Sequence, residues 1–215
     1  MSIENAKTIE VYEQYGDKYL ARNKTAREHD PQAKADHEYQ RQLLKSFLQG
    51  FPKNAKIFEI GACSGRDAEH IRSFGYTNIL TSDAVNRFVK MLKEAGFPTI
   101  KFNLITDAFP DKYDFILCWA VLMHLTKNEA KRSIKKIFAA LEPGGRVALC
   151  VKRKDGVKSE WADFHGAIGA KRYFSYWSAS ELKDTLAKTG FINIQISQHD
   201  RARACWIECS ADKPK

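Results

Sequence analysis

The chain lacks any long apolar run. Its longest, Phe115–Met123, is nine residues, against the ~20 that a membrane-spanning helix needs. The opening stretch MSIENAKTIEVYEQYG carries no apolar segment of the signal-peptide kind. A soluble, cytoplasmic protein with no membrane partner is the expectation. Cysteine is scarce and odd in number: Cys63, Cys118, Cys150, Cys205 and Cys209. Their wide spacing does not read as a disulfide framework. There is no CxxC pair and no HExxH, so no metal site is expected, and Cys205 and Cys209 read as buried thiols on one strand face. Internal repeats and low-complexity segments are also missing. Charge is not scarce, but it is scattered. The net charge of +9 is dense only at Lys131–Lys136 and Lys152–Lys154. The first cluster falls on the outer side of an expected helix and reads as a solvated face rather than a nucleic-acid surface.

What is present is alternation. Strand signals at Lys56–Ile60, Asn78–Ser82, Thr99–Leu104, Phe115–Trp119 and Val147–Val151 are separated mostly by helical periodicity. Thr126-Lys-Asn-Glu129 and Ser178-Ala-Ser-Glu181 are capping boxes that open helices. Strands near Ile192–Ile196 and Ala204–Cys209 flank a polar turn, Gln198–Arg203, and predict an antiparallel hairpin. The fold class that follows is α/β: a Rossmann-like, doubly wound sheet, mostly parallel, with a C-terminal antiparallel hairpin and an N-terminal helical cap. One domain over 1–215 is expected, with the cap in 1–50, a ligand-binding core in 54–152, and the last helix and hairpin in 153–215.

The first strand runs into Glu59-Ile-Gly61-Ala62-Cys63-Ser-Gly65, and a helix follows. Glycines there let the backbone take positive φ and let a ligand approach. Alone this turn is weak evidence, because many nucleotide-binding folds share it. The second strand reaches Asp83, 22 residues beyond Gly61. A carboxylate at that place can accept hydrogen bonds from vicinal ribose hydroxyls, and it can also cap the helix that follows. G-x-G-x-x-G is absent, and so is a Walker Lys-Ser/Thr. Both absences count against dinucleotides and phosphates. An adenosine carrying an amino acid fits better.

Four motifs in order now carry a resemblance: E-x-G-x-x-x-G at Glu59–Gly65, the acid Asp83, Tyr113-Asp-Phe-Ile-Leu117, and Leu141-Glu-Pro-Gly-Gly145. Over roughly residues 54–152 the chain resembles class I S-adenosylmethionine-dependent methyltransferases. Tyr113–Leu125 also looks like the tellurite-resistance methyltransferases. The resemblance implies S-adenosyl-L-methionine as cofactor and a small-molecule methyl acceptor. It implies Glu59 near the cofactor ammonium and the turn Gly61, Ala62, Cys63 and Gly65 around its methionine part. Asp83 would hold the ribose, and Ala84 would touch the adenine. Asn103 or Asp107 would meet the adenine amino group, with Cys118, Trp119 and Ala120 beside the sulfonium. Ala62 and Cys63 depart from the commoner Cys-Gly pair. Val11–Tyr19 resembles a Tyr-rich helix that folds over the cofactor, in which Tyr19 would reach the carboxylate. The spacing of Tyr12, Tyr15 and Tyr19 equally describes an ordinary amphipathic face.

His124 follows the fourth strand's carboxyl end, where open α/β sheets bind ligands. It is the candidate general base, or else a histidine packed beneath the Thr126 cap. His165 is a second, weaker candidate. Trp119, Trp161, Tyr173 and Trp177 could shape an acceptor pocket or belong to the core. The Asn/Asp-Pro-Pro-Tyr/Phe motif of exocyclic base amine methylation is absent; Cys118-Trp-Ala-Val stands there. The alternatives to a small-molecule methyltransferase are an RNA or protein methyltransferase and a non-catalytic S-adenosylmethionine-binding protein.

Overall fold

Two helices precede the sheet: α1 (Ile3–His29) and α2 (Pro31–Phe47). Asp30 joins them. It ends α1, and its carboxylate accepts from Gln32 and Ala33 N–H to start α2, with Pro31 in the first turn. The computed structural model describes residues 1–163, 169–201 and 204–215; His165 lies outside them. Then come β1 (Ile57–Ile60), α3 (Arg66–Ser73), β2 (Ile79–Asp83), α4 (Asn86–Glu94), β3 (Thr99–Lys101) and β4 (Tyr113–Trp119). After a short 3-10 turn at Leu122–His124 follow α5 (Lys127–Ala140), β5 (Leu141–Arg153), β6 (Ser159–Ala162), β7 (Arg172–Ser175), α6 (Ala179–Thr189), β8 (Ile192–Arg201) and β9 (Ala204–Asp212).

Seven strands form one sheet in the order β3-β2-β1-β4-β5-β9-β8. The first five run parallel. β9 pairs antiparallel with β5, and β8 antiparallel with β9. This is the doubly wound sheet with a terminal hairpin that the alternation predicts. The order in which strands are added reverses between β1 and β4, so their carboxyl ends open a crevice at the switch point.

Alternation along each strand decides what faces what. Phe58, Ile60, Ile116 and Cys118 pack on the α5 and α6 side with Ile134, Ile137, Leu182 and Leu186. Ile57, Phe115 and Leu117 pack on the other side with Leu44, Phe47, Ala68, Ile71 and Leu92. Both faces are covered, which is why β4 reads as a continuous apolar run.

Three departures from expectation have local causes. β8 continues through Gln198–Arg201, which reads as a turn, because those residues pair with Ala204–Ile207 of β9; backbone ladder bonds override side-chain polarity. β3 stops at Lys101, so Asn103 stands beyond the strand. β6 and β7 form a separate two-stranded sheet inside a stretch with no legible pattern. Trp177 is buried core, 2% exposed, with the Lys127 ammonium 3.6 Å over its ring.

Candidate active site

A cavity of about 210 Å³ opens at the carboxyl ends of β1, β2 and β4, beneath α1. Its floor begins with the glycine turn. Gly61 has φ +72, and a Cβ there would collide with Val121, so backbone and cavity meet at a place only glycine fits. Cys63 holds a left-handed φ of 52 without being glycine, a conformation that costs about 1 kcal/mol or more in a residue with a Cβ. Its backbone N–H donates to Asp83 Oδ2 at 3.0 Å. The other carboxylate oxygen, Oδ1, accepts from Val85 N at 2.9 Å. Asp83 therefore ties the β1 turn to the β2 turn, and each oxygen keeps lone-pair capacity for a further donor. Burial pushes its carboxyl up to about 6.

Asn103 stands at the same end of the cavity. Its Oδ1 accepts from Ile105 N at 2.9 Å, and its Nδ2 donates to Asn5 Oδ1 at 3.0 Å. Asp107 sits behind, accepting from Asn103 N at 2.9 Å. Of the two candidates, Asn103 faces the cavity and Asp107 braces it. Ala62, Cys63, Asp83, Ala84, Trp119, Ala120, Tyr19 and His124 also line it.

Glu59, Gly65 and Cys118 are not among the lining residues, and each has a reason. Strand alternation turns Glu59 toward α3. There it is 2% exposed, and its Oε2 has no hydrogen-bond partner among the described residues. Burial and the nearby Asp67 charge raise its carboxyl well above the usual range. Cys118 faces the α5 side and is fully buried. Gly65 caps α3 at φ +78, and a Cβ on it would press on Leu92 and Phe97 at 3.0 and 3.1 Å; its task is close packing of the turn.

The α3 N-terminus carries an internal salt bridge. Arg66 grips Asp67 with two bonds of 2.8 Å. Burial opposes the Asp67 charge, but the guanidinium outweighs it and holds the carboxyl below its ordinary value. Acids at Asp67 and Glu69 in this first turn disfavour a bound phosphate there and suit a ligand bearing both ammonium and carboxylate.

α1 forms the roof, and polar ties hold it. Ser2 N and Oγ donate to Glu129 at 2.7 and 2.9 Å. Thr8 Oγ1 accepts from Tyr173 N at 3.1 Å. Glu13 accepts from Asn86 N at 2.5 Å, capping α4, and Asp17 pairs with Arg87 at 2.7 Å. Tyr12 and Tyr19 both line the cavity, their rings 5.3 Å apart and edge-on; Tyr15 does not reach it.

His124 is 9% exposed. Its Nδ1 lies 2.8 Å from the Tyr173 carbonyl. A carbonyl only accepts, so Nδ1 carries the hydrogen and Nε2 is an acceptor. Nε2 takes the Tyr12 hydroxyl at 3.3 Å, and that hydroxyl oxygen accepts from Arg172 Nη1 at 2.7 Å. Burial, helped by the Arg172 charge, lowers the imidazole to about 3. His124 is a neutral link in a fixed chain. Arg66 and Arg172 carry no motif signal; only their contacts single them out. Trp161 is partly exposed and meets Tyr173 edge-on at 5.7 Å.

The parallel sheet, the cavity at its switch point and the two tied turns define the class I S-adenosylmethionine-dependent methyltransferase fold. The chain belongs to the methyltransferase domain family, which it matches over residues 28–196. It is similar to phosphoethanolamine N-methyltransferase 2 of Caenorhabditis elegans, 25% identical over 162 residues, 71% of this chain and 36% of the relative. The chain spans about a third of the length of the curated relatives it matches. Among solved structures it resembles magnesium protoporphyrin IX methyltransferase from Synechocystis PCC 6803 with bound SAM, with a TM-score of 0.75 at 13% identity, covering 99% of this chain and 98% of that one. N-methyltransferase NodS from Bradyrhizobium japonicum WM9, in complex with S-adenosyl-L-homocysteine, superposes with a TM-score of 0.66 at 14% identity, over 95% and 99% of the two chains.

Proposed function

We propose that the protein transfers a methyl group from S-adenosyl-L-methionine to a small-molecule acceptor. The observation that carries this reading is the cavity whose adenosine end holds Asp83 and Asn103 and whose other end meets the glycine turn and Arg66. The residues fit the cofactor. Gly61 lets the turn pack against Val121 of the cavity wall, Asp83 has free acceptor capacity for ribose hydroxyls, and the Arg66–Asp67 pair offers both charges to an amino-acid group. When bound, the cofactor supplies an electrophilic methyl whose carbon–sulfur bond breaks as the acceptor attacks, the electron pair going to sulfur.

The chain's own part is to orient, exclude water and position. Asp83 fixes one end of the ligand, and Tyr19 with Arg66 would take the carboxylate. Trp119 and Ala120 flank the reacting centre, and α1 closes over it. His124 positions Tyr12 instead of taking a proton, because its lone pair is engaged and its basicity is low. An acceptor that attacks without prior deprotonation, such as a neutral amine, suits this site; its proton leaves after transfer. The C. elegans relative named for N-methylation favours the same chemistry. Calorimetry tests the cofactor directly: S-adenosylhomocysteine should bind in the micromolar range and NAD should not compete. NAD binding with no S-adenosylhomocysteine binding would overturn the reading.

A further inference from the structure

Arg172 opens β7 and is 4% exposed. A guanidinium has five N–H donors and no acceptor, and burying its charge costs several kcal/mol unless it is paired. Nη1 is used by Tyr12 at 2.7 Å. Nε is buried and has no hydrogen-bond partner, and no carboxylate pairs with this side chain among the described residues. What surrounds it is aromatic: the Tyr12, Tyr19 and Phe174 rings lie 5.2, 5.6 and 5.3 Å from its central carbon. Two of those rings line the cavity. Lys152, the last inward cation of β5, is also buried, its ammonium 4.7 Å from the Phe174 centroid and 5.3 Å from Trp206. The two cations thus share one phenyl ring, next to Met123 and His124 of the cavity wall. Burial first, then the Arg172 charge, lowers the Lys152 ammonium to about 7.

We propose that the methyl acceptor is an anion, whose carboxylate or phosphate group is received by Arg172 together with Lys152 beside Phe174. The proposal rests on the methyl-transfer reading for the word acceptor; the anion site itself does not need it. A bidentate oxyanion matches the unused edge of the guanidinium and relieves the repulsion between the two cations. Aromatic walls exclude water and strengthen the attraction.

The test is titration calorimetry on the full chain saturated with S-adenosylhomocysteine, with inorganic phosphate, benzoate and benzamide as probes. Benzamide has the shape of benzoate without its charge. Phosphate or benzoate should bind, and benzamide at least tenfold more weakly than benzoate. Arg172→Gln and Lys152→Met should each weaken anion binding tenfold or more, and Lys152→Met should leave S-adenosylhomocysteine affinity within twofold. Arg172→Lys, which keeps the charge and is the milder change should Arg172→Gln unfold, should lose less. The proposal is overturned if neither anion binds, if benzamide matches benzoate, or if Arg172→Gln spares the anion and removes the cofactor product instead, which would assign the guanidinium to the cofactor carboxylate. If wild-type protein fails to bind S-adenosylhomocysteine, the methyl-transfer reading falls, and the same anion titration on the unloaded chain still decides this one.

Discussion

At the scale of single residues, the position of a side chain on its strand decides its role more than its chemistry does. Asp83 is legible in the sequence because it ends a strand at a telling distance from Gly61 and precedes a helix it can cap; that its second oxygen holds the Cys63 N–H of the β1 turn is not. Asp83→Ala should weaken S-adenosylhomocysteine binding by about 1–3 kcal/mol and lower the melting temperature as well, since Cys63 and Val85 N–H lose their acceptor. Its pH behaviour follows from burial. The carboxyl protonates as pH falls through about 6, so ligand affinity should drop between pH 7.5 and 5.5, and Asp83→Asn should flatten that drop. For stability the sign is reversed. The buried charge costs the fold, so this group's contribution falls as pH rises from about 4 to about 6. His124 behaves oppositely. Its imidazole is held neutral down to about 3, so its contribution is present above the ordinary histidine range and is lost as pH falls from about 6.5 toward 3. The rate profile should show no histidine limb near pH 6.5; a limb there that His124→Asn removes would restore it as the general base. Glu59 and Cys118 look like site residues in the linear motif and are not in the wall, because neighbours on a strand point to opposite faces.

At the scale of elements, the strands that end at the cavity are readable from their own pattern, the helix that roofs it through its tyrosines and the resemblance they carry, and β6 and β7 not at all. β1, β2 and β4 carry dense apolar runs that stop at turn residues. Beyond Tyr12, Tyr15 and Tyr19, α1 has no such stripe: its inward positions include Asn5 and Thr8, and hydrogen bonds that hold a helix leave no hydrophobic periodicity to read. β6 and β7 are four residues each, too short for alternation to stand out. Glu129 joins two elements, closing the α5 capping box with Thr126 while receiving Ser2 from α1. Thr126→Ala should cost about 1 kcal/mol through α5 alone. Glu129→Ala should cost more, and should also release the α1 terminus. Hydrogen exchange should then show the first turns of α1 losing protection in Glu129→Ala and keeping it in Thr126→Ala.

At the scale of the whole molecule, part of the positive charge along α5 is engaged within the fold. Lys136 donates to the carbonyls of Leu104, Ile105 and Asp107 at 2.7, 3.1 and 2.7 Å. Lys127 and Lys131 both meet Glu181. With Lys131 and Lys136 held in this way, the cluster offers a polyanion fewer mobile cations. RNA should therefore show no salt-dependent retention in a mobility assay at low ionic strength; retention that falls with added salt would favour the RNA methyltransferase alternative. No helix among the described residues is long and apolar enough to cross a membrane. The polar ties of α1 have one further consequence. A single 27-residue helix roofs the cavity from the Asn103 end to Arg66, so spent cofactor should leave only when those ties let go together. Chemistry and release then run on separate clocks. The first turnover should outpace the following ones, giving a burst of one product per chain, and loosening the Ser2 anchor should speed the steady state while leaving the burst untouched.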